Sequence, residues 1–370
     1  MRAALLTSLT ALPLVLAAPA LADVPRVAVD IAPVHALVAQ VMSGVGVPDL
    51  VLPPTASPHA HALRPSEAAA LQGADLVVWV GPELTPWLAD PLGALAPNAA
   101  RLGLLEVEGI RRLGFRDGAS FEAHDHGDAD HDDHAHDAPD HGGETHDDHA
   151  GHDHAHDDHA HDDHAHDDHA HDDHAHDDHA HDDHAHDDHA HDDHAHDHSG
   201  IDPHAWLDPA NAALWLDVIA AELSRLDPDH AATYAANAAT AQAALTTMQA
   251  DIAARMASLS GGFIVFHDAY HYFEARFGIE AAGAISLSDA SDPGPARVAE
   301  IRDLVAAEGI ACVFVEPQFN RGMVDAVFEG TGVRIGVIDP IGAMLEPGPA
   351  LYPALLDAMA QSFEACLAPS

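Results

Sequence analysis

Apolar residues in the first hundred positions form short runs that alternate with segments of helical composition. The runs RVAVDI (26–31), DLVLPP (49–54) and DLVVWVG (75–81) predict strands. Between them, PVHALVAQVM (33–42) and RPSEAAALQGA (64–74) predict helices, the second because Pro followed by Ser-Glu favours a helix start. Strands that alternate with helices indicate a parallel α/β sheet.

The same alternation returns in the last hundred residues. Strands are predicted at 263–266, 310–316 and 333–339, and helices at 268–278, 294–309, 321–330 and 353–367. The chain therefore carries a second α/β half. Because open α/β sheets bind ligands at the carboxyl ends of their strands, functional residues are expected there in both halves.

Two helical segments lie between these halves. Residues 208–223 predict a helix with an Asp-Pro start, and the Ala-rich residues 227–259 predict one continuous helix about 50 Å long at 1.5 Å per residue. We predict an α/β protein with two lobes joined by a long helix. The expected boundaries are 23–226 for the first lobe, interrupted by 122–200, then 227–260 for the linking helix and 261–370 for the second lobe.

The N-terminus has the pattern of a secretory signal peptide. Arg2 precedes an apolar stretch, and Ala20-Leu21-Ala22 matches a cleavage site, so residues 1–22 are expected to be removed on export. No later run is long and apolar enough to span a bilayer, which predicts a soluble periplasmic protein. In an exported chain the two cysteines, Cys312 and Cys366, favour one disulfide over two buried thiols.

Residues 122–200 form a low-complexity stretch, here named the His-Asp segment. It contains 28 of the 35 histidines, and the pentad HAHDD occurs eight times in succession from His154 to Asp193. Large apolar side chains are almost absent, so burial cannot offset the chain entropy and disorder is predicted without metal.

The charge of the chain is strongly acidic. The formal net charge is −47, and all 14 basic residues are arginine. Residues 124–198 contribute 28 carboxylates, which leaves −19 on the remainder. Nucleic-acid binding is disfavoured because contact with phosphates needs a basic surface, whereas a cationic partner fits.

Outside the His-Asp segment, polar residues at the ends of predicted elements suggest a metal site. His59 follows the strand that ends near Leu52, His204 lies just past the His-Asp segment, and His267 follows FIVF. Asp339 ends VRIGVID. Three imidazoles and a carboxylate suit tetrahedral Zn²⁺, although imidazole also suits other late first-row metals.

The fourth ligand and the supporting residues have alternatives. Asp339 precedes a proline and can simply close a turn, and Glu316 or water can take its place. Asp202 and Asp268 stand beside candidate ligands, where each can orient an imidazole or cap the following helix.

Five stretches give the chain a resemblance to a known family. They are SPHAHALRPSEAAALQGADLVVWVG, DPHAWLDP, FHDAYHYFE, VFVEPQF and IDPIG. Together they resemble the zinc-specific periplasmic solute-binding proteins of metal ABC importers, over essentially the whole mature chain. The resemblance implies two α/β lobes joined by a rigid helix, a metal site in the cleft between them, and no enzymatic activity.

The same resemblance implies specific residues and partners. Carried over by motif, His59, His204 and His267 are the ligands, and Asp339 falls where many relatives place a carboxylate. A histidine at 267, where manganese-binding relatives tend to have glutamate, favours zinc. The Cys312–Cys366 pair fits the family's disulfide. The expected partners are an inner-membrane ABC permease and its cytoplasmic ATPase, with the binding protein a monomer.

Additional histidines can bind metal more weakly. His61 and His271 stand where relatives often carry an aromatic and a small residue, and His271 can share a helix face with His267 or lie at the surface. The His-Asp segment, including His124, His154, His156 and His198, is predicted to collect Zn²⁺ in many weak sites near one tight site. The alternative is a solvated spacer.

Three other functions are compatible with the pattern. The protein can be a periplasmic zinc buffer or chaperone, or its cargo can be manganese or nickel. HDAYH (267–271) also has the two-histidine spacing of a zinc hydrolase, although Asp replaces the Glu that the H-E-x-x-H motif uses as general base.

Overall fold

The computed structural model describes residues 24–116, 121, 200–286, 294–319 and 321–368. The strands are β1 (Val27–Val29), β2 (Asp49–Leu50), β3 (Leu76–Trp79), β4 (Ala100–Gly103), β5 (Phe263–His267), β6 (Gly283–Ser286), β7 (Cys312–Val315) and β8 (Arg334–Val337). The helices are α1 (Ala32–Val41), α2 (Pro65–Gly73), α3 (Pro86–Leu95), α4 (Pro209–Leu226), α5 (Ala231–Met256), α6 (His271–Phe277), α7 (Pro295–Glu308), α8 (Arg321–Phe328) and α9 (Leu351–Leu367).

The strands form two parallel sheets, one in each half of the chain. Their orders are β2-β1-β3-β4 and β6-β5-β7-β8. Each sheet has the doubly wound arrangement in which the order reverses beside the first strand, and its carboxyl edge is where ligands bind. The predicted α/β class with two lobes is confirmed.

Both faces of each sheet are covered, which explains the nearly continuous apolar runs. In β3, Leu76 and Val78 belong to the large core that also includes α1, α4, α5 and α9, whereas Val77 packs with α2 and α3 on the other face. In the second sheet, Ile264 and Val313 pack with α7 and α8. The large core includes residues of both lobes, so both sheets are anchored to the same helices.

Hydrogen bonds also connect the first lobe to the second near the ends of the strands. Trp206 donates from Nε1 to the Pro340 carbonyl at 2.8 Å, and the Tyr352 hydroxyl donates to the Trp206 carbonyl at 2.6 Å. Arg276 makes two 2.6 Å hydrogen bonds to Asp208, whose carboxylate also caps α4 by accepting from the Ala210 N–H. The loop around residue 204 is therefore held from the second lobe.

Helix α5 is shorter than the predicted run 227–259. Asp227 leaves helical geometry, Pro228–His230 forms a 3₁₀ turn, and α5 begins at Ala231. Asp227 accepts hydrogen bonds from the Tyr234 hydroxyl at 2.8 Å and pairs with His230 at 2.7 Å, which fixes the turn. The Ala-rich composition predicts the helix but not this start.

Helix α6 also starts later than predicted. The chain leaves β5 at His267 and enters α6 only at His271, with Tyr270 as the N-cap residue. Strands β4 and β6 and helix α3 have no counterpart in the predicted elements. Among the described residues, every helix is too short or too polar to cross a membrane.

The two cysteines form the predicted disulfide. Cys312 begins β7 and Cys366 lies in the last turn of α9, with their Cα atoms 6.0 Å apart. The bond ties the C-terminal helix to the second sheet. The predicted signal peptide (1–22) and almost all of the His-Asp segment lie outside the described residues.

Candidate metal centre

Three histidines from distant parts of the sequence meet at one point. One ligand atom from each of His59, His204 and His267 lies within 4.8 Å of the others. The Nε2 atoms of His59 and His204 are 3.3 Å apart, and the ring centroids of His204 and His267 are 5.0 Å apart. His204 and His267 are only 2% and 3% exposed, whereas His59 is partly exposed.

Each histidine is carried by a different kind of element. His59 lies in the loop that follows β2, His204 precedes the 3₁₀ turn Ala205–Leu207, and His267 is the last residue of β5. The sheets thus supply two of the rings at or after a strand end, as the topology of open α/β sheets requires. The third comes from the connection between the His-Asp segment and α4.

Asp202 orients His204. Its Oδ1 lies 2.7 Å from His204 Nδ1 and accepts the His204 backbone N–H at 2.9 Å. A carboxylate on Nδ1 fixes the ring and leaves Nε2 for the centre, which is the usual support of a metal-binding imidazole. Of the two alternatives for Asp202, the structure shows the contact with the imidazole.

Glu316 stands in the same relation to His267. Its Oε1 is 3.2 Å from His267 Nδ1, and its Oε2 accepts from the Gln318 side chain. Both residues are buried, so the carboxylate has little access to water. Glu316 is not part of the three-residue ligand group in the described chain; it contacts one of its rings.

The loop that carries His59 is held by its neighbours. Ser57 Oγ accepts the His59 N–H at 3.2 Å, and Trp87 donates from Nε1 to the Pro58 carbonyl at 2.8 Å. His61 packs its ring on Trp87 and places Nε2 2.9 Å from Glu67 Oε2. His61 is therefore engaged away from the group.

Asp339 is placed differently from the expectation. Its Oδ1 accepts from the N–H groups of Ile341 at 3.2 Å and Gly342 at 2.8 Å, and Oδ2 accepts from Met344 at 3.3 Å. The carboxylate closes the turn after β8, which was the alternative for an Asp before proline. In the described chain it does not join the three histidines as a ligand group.

Asp268 and His271 also depart from the expected roles. Asp268 pairs with Arg116 and does not cap α6, whose N-cap is Tyr270 without a side-chain bond. His271 begins α6 while His267 ends β5, so the two do not share a helix face. The helical H-x-x-x-H geometry of a zinc hydrolase is therefore absent from residues 267–271.

Burial sets the protonation state of the innermost ring. The pKa of His204 is held well below its usual 6.5, first by burial and then by the neighbouring His267. Burial, followed by repulsion from Asp268, raises the pKa of Asp202 to about 7. Without a cation, the centre therefore favours neutral groups, and a neutral imidazole offers the lone pair that a metal needs.

Two residues beside the centre, Arg116 and Trp87, are not predicted from the sequence. Arg116 contacts residues 152 and 158 positions away, and Trp87 contacts the His59 loop across 29 positions. No local pattern marks either one. The proposed contributors His124, His154, His156 and His198 lie outside the described residues.

Comparison with known proteins places the chain in a single family. The sequence model of the family described as "Zinc-uptake complex component A periplasmic" matches residues 27–366. The high-affinity zinc uptake system protein ZnuA of Paracoccus denitrificans (strain Pd 1222) is 44% identical over 353 residues, which cover 95% of this chain and 94% of that protein. The protein of the same name from Haemophilus influenzae (strain ATCC 51907 / DSM 11121 / KW20 / Rd) is 35% identical, with 95% and 96% covered.

Solved structures share the fold at low sequence identity. A structure described as "Crystal structure of ZnuA" has a TM-score of 0.65 at 18% identity and covers 94% of this chain and 100% of that chain. The periplasmic zinc-binding protein TroA from Treponema pallidum has a TM-score of 0.65 at 16% identity, covering 93% and 99%.

Proposed function

Because the chain belongs to the ZnuA family of periplasmic zinc-uptake components, we propose that it captures Zn²⁺ in the periplasm and delivers it to a membrane importer. The cargo is bound and released unchanged, so the protein acts as a solute-binding protein and not as an enzyme. Its partners are an inner-membrane ABC permease and the cytoplasmic ATPase that drives it. The curated relatives named as components of zinc uptake systems support this assignment.

The observation that carries the proposal is the convergence of His59, His204 and His267. Three imidazole nitrogens within 4.8 Å of one another can each reach one ion at the usual Zn–N distance of about 2.0–2.1 Å after small shifts. Two of the rings carry a carboxylate on Nδ1, from Asp202 and Glu316. This outer support is typical of zinc-binding imidazoles.

The donor set favours zinc over manganese. Three neutral nitrogen ligands suit Zn²⁺ and other late first-row ions, whereas Mn²⁺ prefers carboxylates, carbonyls and water. Asp339 and Glu316 are both engaged in other contacts. We therefore assign the fourth position to water or to a group from the permease, which allows release without breaking a fourth protein bond.

The His-Asp segment serves as an accessory collector of zinc. Its last residue, Gly200, accepts a 3.4 Å hydrogen bond from the N–H of Phe115, which precedes the segment, and His204 follows four residues after Gly200. Many weak ligands tethered so close to one tight site raise the local concentration of the ion. In the alternative arrangement, the tight zinc site would lie within the His-Asp segment itself.

Calorimetric titration of zinc into the mature protein and into a version lacking residues 124–198 separates these arrangements. We expect the deleted version to keep one tight site and to lose only the weaker ones, because His59, His204 and His267 lie outside the deletion. Loss of the tight site on deletion would assign the transport site to the segment and refute the proposed centre.

Zinc affinity is expected to fall as the pH is lowered. Protons compete for the imidazole nitrogens, so binding weakens most below about pH 6, in the range where histidine titrates.

The stability of the zinc-free fold also depends on pH. In the unfolded chain a histidine has a pKa near 6.5 and becomes charged below that pH, whereas His204 in the folded protein stays neutral to lower pH because its pKa is lowered. Burial of His204 therefore carries no protonation cost above pH 6.5, and it lowers the stability of the fold progressively as the pH falls below that value.

Chelator-competition titrations between pH 5 and 8 measure this dependence. Unfolding in urea over the same range reports the stability of the protein without zinc. An affinity that does not change from pH 5 to 8 would contradict ligation by imidazole.

A further inference from the structure

The two chain segments that flank the His-Asp segment are paired with each other beside the metal centre. Gly114 and Ile201 form an antiparallel bridge, and Asp202 donates its N–H to the Leu113 carbonyl at 2.9 Å. The Leu113 N–H in turn donates to the Tyr272 hydroxyl at 2.9 Å, which donates to the Asp202 carbonyl. Residues 111–116 thus run alongside the residue that supports His204. We name these residues the strap.

The strap ends in a largely buried ion cluster with the second lobe. Arg116 pairs with both oxygens of Asp268 and donates from Nη1 to Glu274 Oε2 at 2.6 Å. The side chains of Arg116, Asp268 and Glu274 are 12%, 5% and 2% exposed. One guanidinium therefore compensates two buried carboxylates, which makes this geometry costly to lose.

The same end of the strap packs on the second sheet. The Arg116 guanidinium lies 3.9 Å from the centroid of the Phe121 ring, and the Phe121 N–H donates to the Ala282 carbonyl at 2.8 Å. Ala282 immediately precedes β6, which pairs with β5. The strap is therefore fixed to the sheet whose strand β5 ends in His267.

These contacts connect Arg116 to two of the three histidines by short routes. On one side, Asp268 is the residue after His267. On the other side, the strap pairs with Asp202, whose carboxylate lies 2.7 Å from His204 Nδ1. We propose that Arg116 is a positioning residue for the zinc centre, which sets the separation of His204 and His267 by clamping the strap to Asp268 and Glu274. This inference rests on the proposed zinc-capture function.

Electrostatics and positioning make opposite predictions for this arginine. A positive charge near a dication weakens its binding, so removing it without disturbing geometry would tighten zinc. If Arg116 positions the ligands, its loss loosens them and zinc dissociates faster. The sign of the change in rate therefore distinguishes the two roles.

The test uses the full-length mature chain and two substitutions, Arg116→Gln and Arg116→Lys. Zinc is released to a chromophoric chelator in excess, and the slow phase of release is assigned to the centre by its absence in His59→Ala. Lysine keeps the charge but loses the planar fork that pairs with two carboxylates at once. We expect both variants to release zinc about tenfold faster, within the range found for outer supports of metal ligands.

Two controls separate positioning from general destabilisation. Arg255→Gln removes another arginine that pairs with two carboxylates, Asp357 and Glu364, and contacts none of the three histidines, so it is expected to leave the slow phase within about twofold. The visible absorption of Co²⁺ bound in place of zinc should change in intensity in both Arg116 variants and not in Arg255→Gln. Circular dichroism confirms that each variant is folded.

The possible outcomes are decisive. Wild-type or slower release from Arg116→Gln, or wild-type release from Arg116→Lys, would overturn the positioning role while leaving the zinc function intact. Arg255→Gln accelerating release as much as the Arg116 variants would also overturn it. A wild-type protein that lacks a slow phase dependent on His59 would instead refute the proposed zinc function, and this inference with it.

Discussion

Replacing His204 by alanine is expected to remove tight zinc binding. The substitution deletes one of three nitrogen donors that lie within 4.8 Å of one another, and it leaves the Asp202 carboxylate without its imidazole partner. Loss of an outer support alone typically costs about 10–100-fold in metal affinity, so loss of a direct ligand should cost more than about 100-fold. His59→Ala and His267→Ala should have effects of the same order. Competition with a chelator of known affinity measures each variant.

Matched histidine substitutions outside the centre provide the controls. His61 is engaged by Glu67 and Trp87, and His230 pairs with Asp227 at the start of α5. Alanine at either position should leave the tight site in place. His271→Ala should also retain it, because His271 lies outside the group of three. A hundredfold loss in His271→Ala, or retained tight binding in His204→Ala, would mean that the ligand set is wrong.

Reduction of the Cys312–Cys366 disulfide is expected to cause a large loss of stability. The bond closes a loop with a sequence separation of 54 residues and joins β7 to the last helix of the chain. Constraint of the unfolded chain by a loop of this length corresponds to about 4 kcal/mol in the free energy of unfolding. Urea unfolding of the zinc-free protein with and without a thiol reductant measures the difference.

The double variant Cys312→Ala/Cys366→Ala separates the disulfide from side effects of the reductant. It should match the reduced wild-type protein in stability to within the effect of the two small core changes, and it should not respond to reductant. An unchanged urea midpoint on complete reduction of the wild-type protein would show that the bond contributes little beyond the packing of α9.

The sequence predicts the two lobes correctly because their central strands are apolar on both faces. A run such as DLVVWVG has few environments other than the middle of a covered sheet, and β3 is found there. Two of the four edge strands, β4 and β6, were missed for the complementary reason. Strand β4 has the sequence ARLG and β6 has GAIS, which are weak strand formers that become strands through backbone pairing with β3 and β5.

Helix boundaries show the same division between local and distant causes. The Ala-rich composition determines that residues after 230 are helical, but α5 begins at Ala231 because Asp227 binds Tyr234 and His230. Likewise α6 begins at His271, after a connection that carries Asp268 to Arg116. In both cases a buried carboxylate just before the helix pairs with other side chains, and the helix begins after it.

By itself the sequence determined the fold class, the disulfide pair and the three histidines that meet. The fold class follows from the alternation of apolar and helical runs, and the disulfide follows from the presence of two cysteines in an exported chain. The histidines were identified by residue type and by their places beside predicted elements. All of these are local features of the chain. Only the tertiary structure decided the roles of Asp339, Asp268, Glu316 and Arg116. A carboxylate can bind a metal, close a turn, orient an imidazole or pair with an arginine, and its choice depends on partners up to 152 residues away. Those partners become neighbours only when the two sheets and their shared helices pack together.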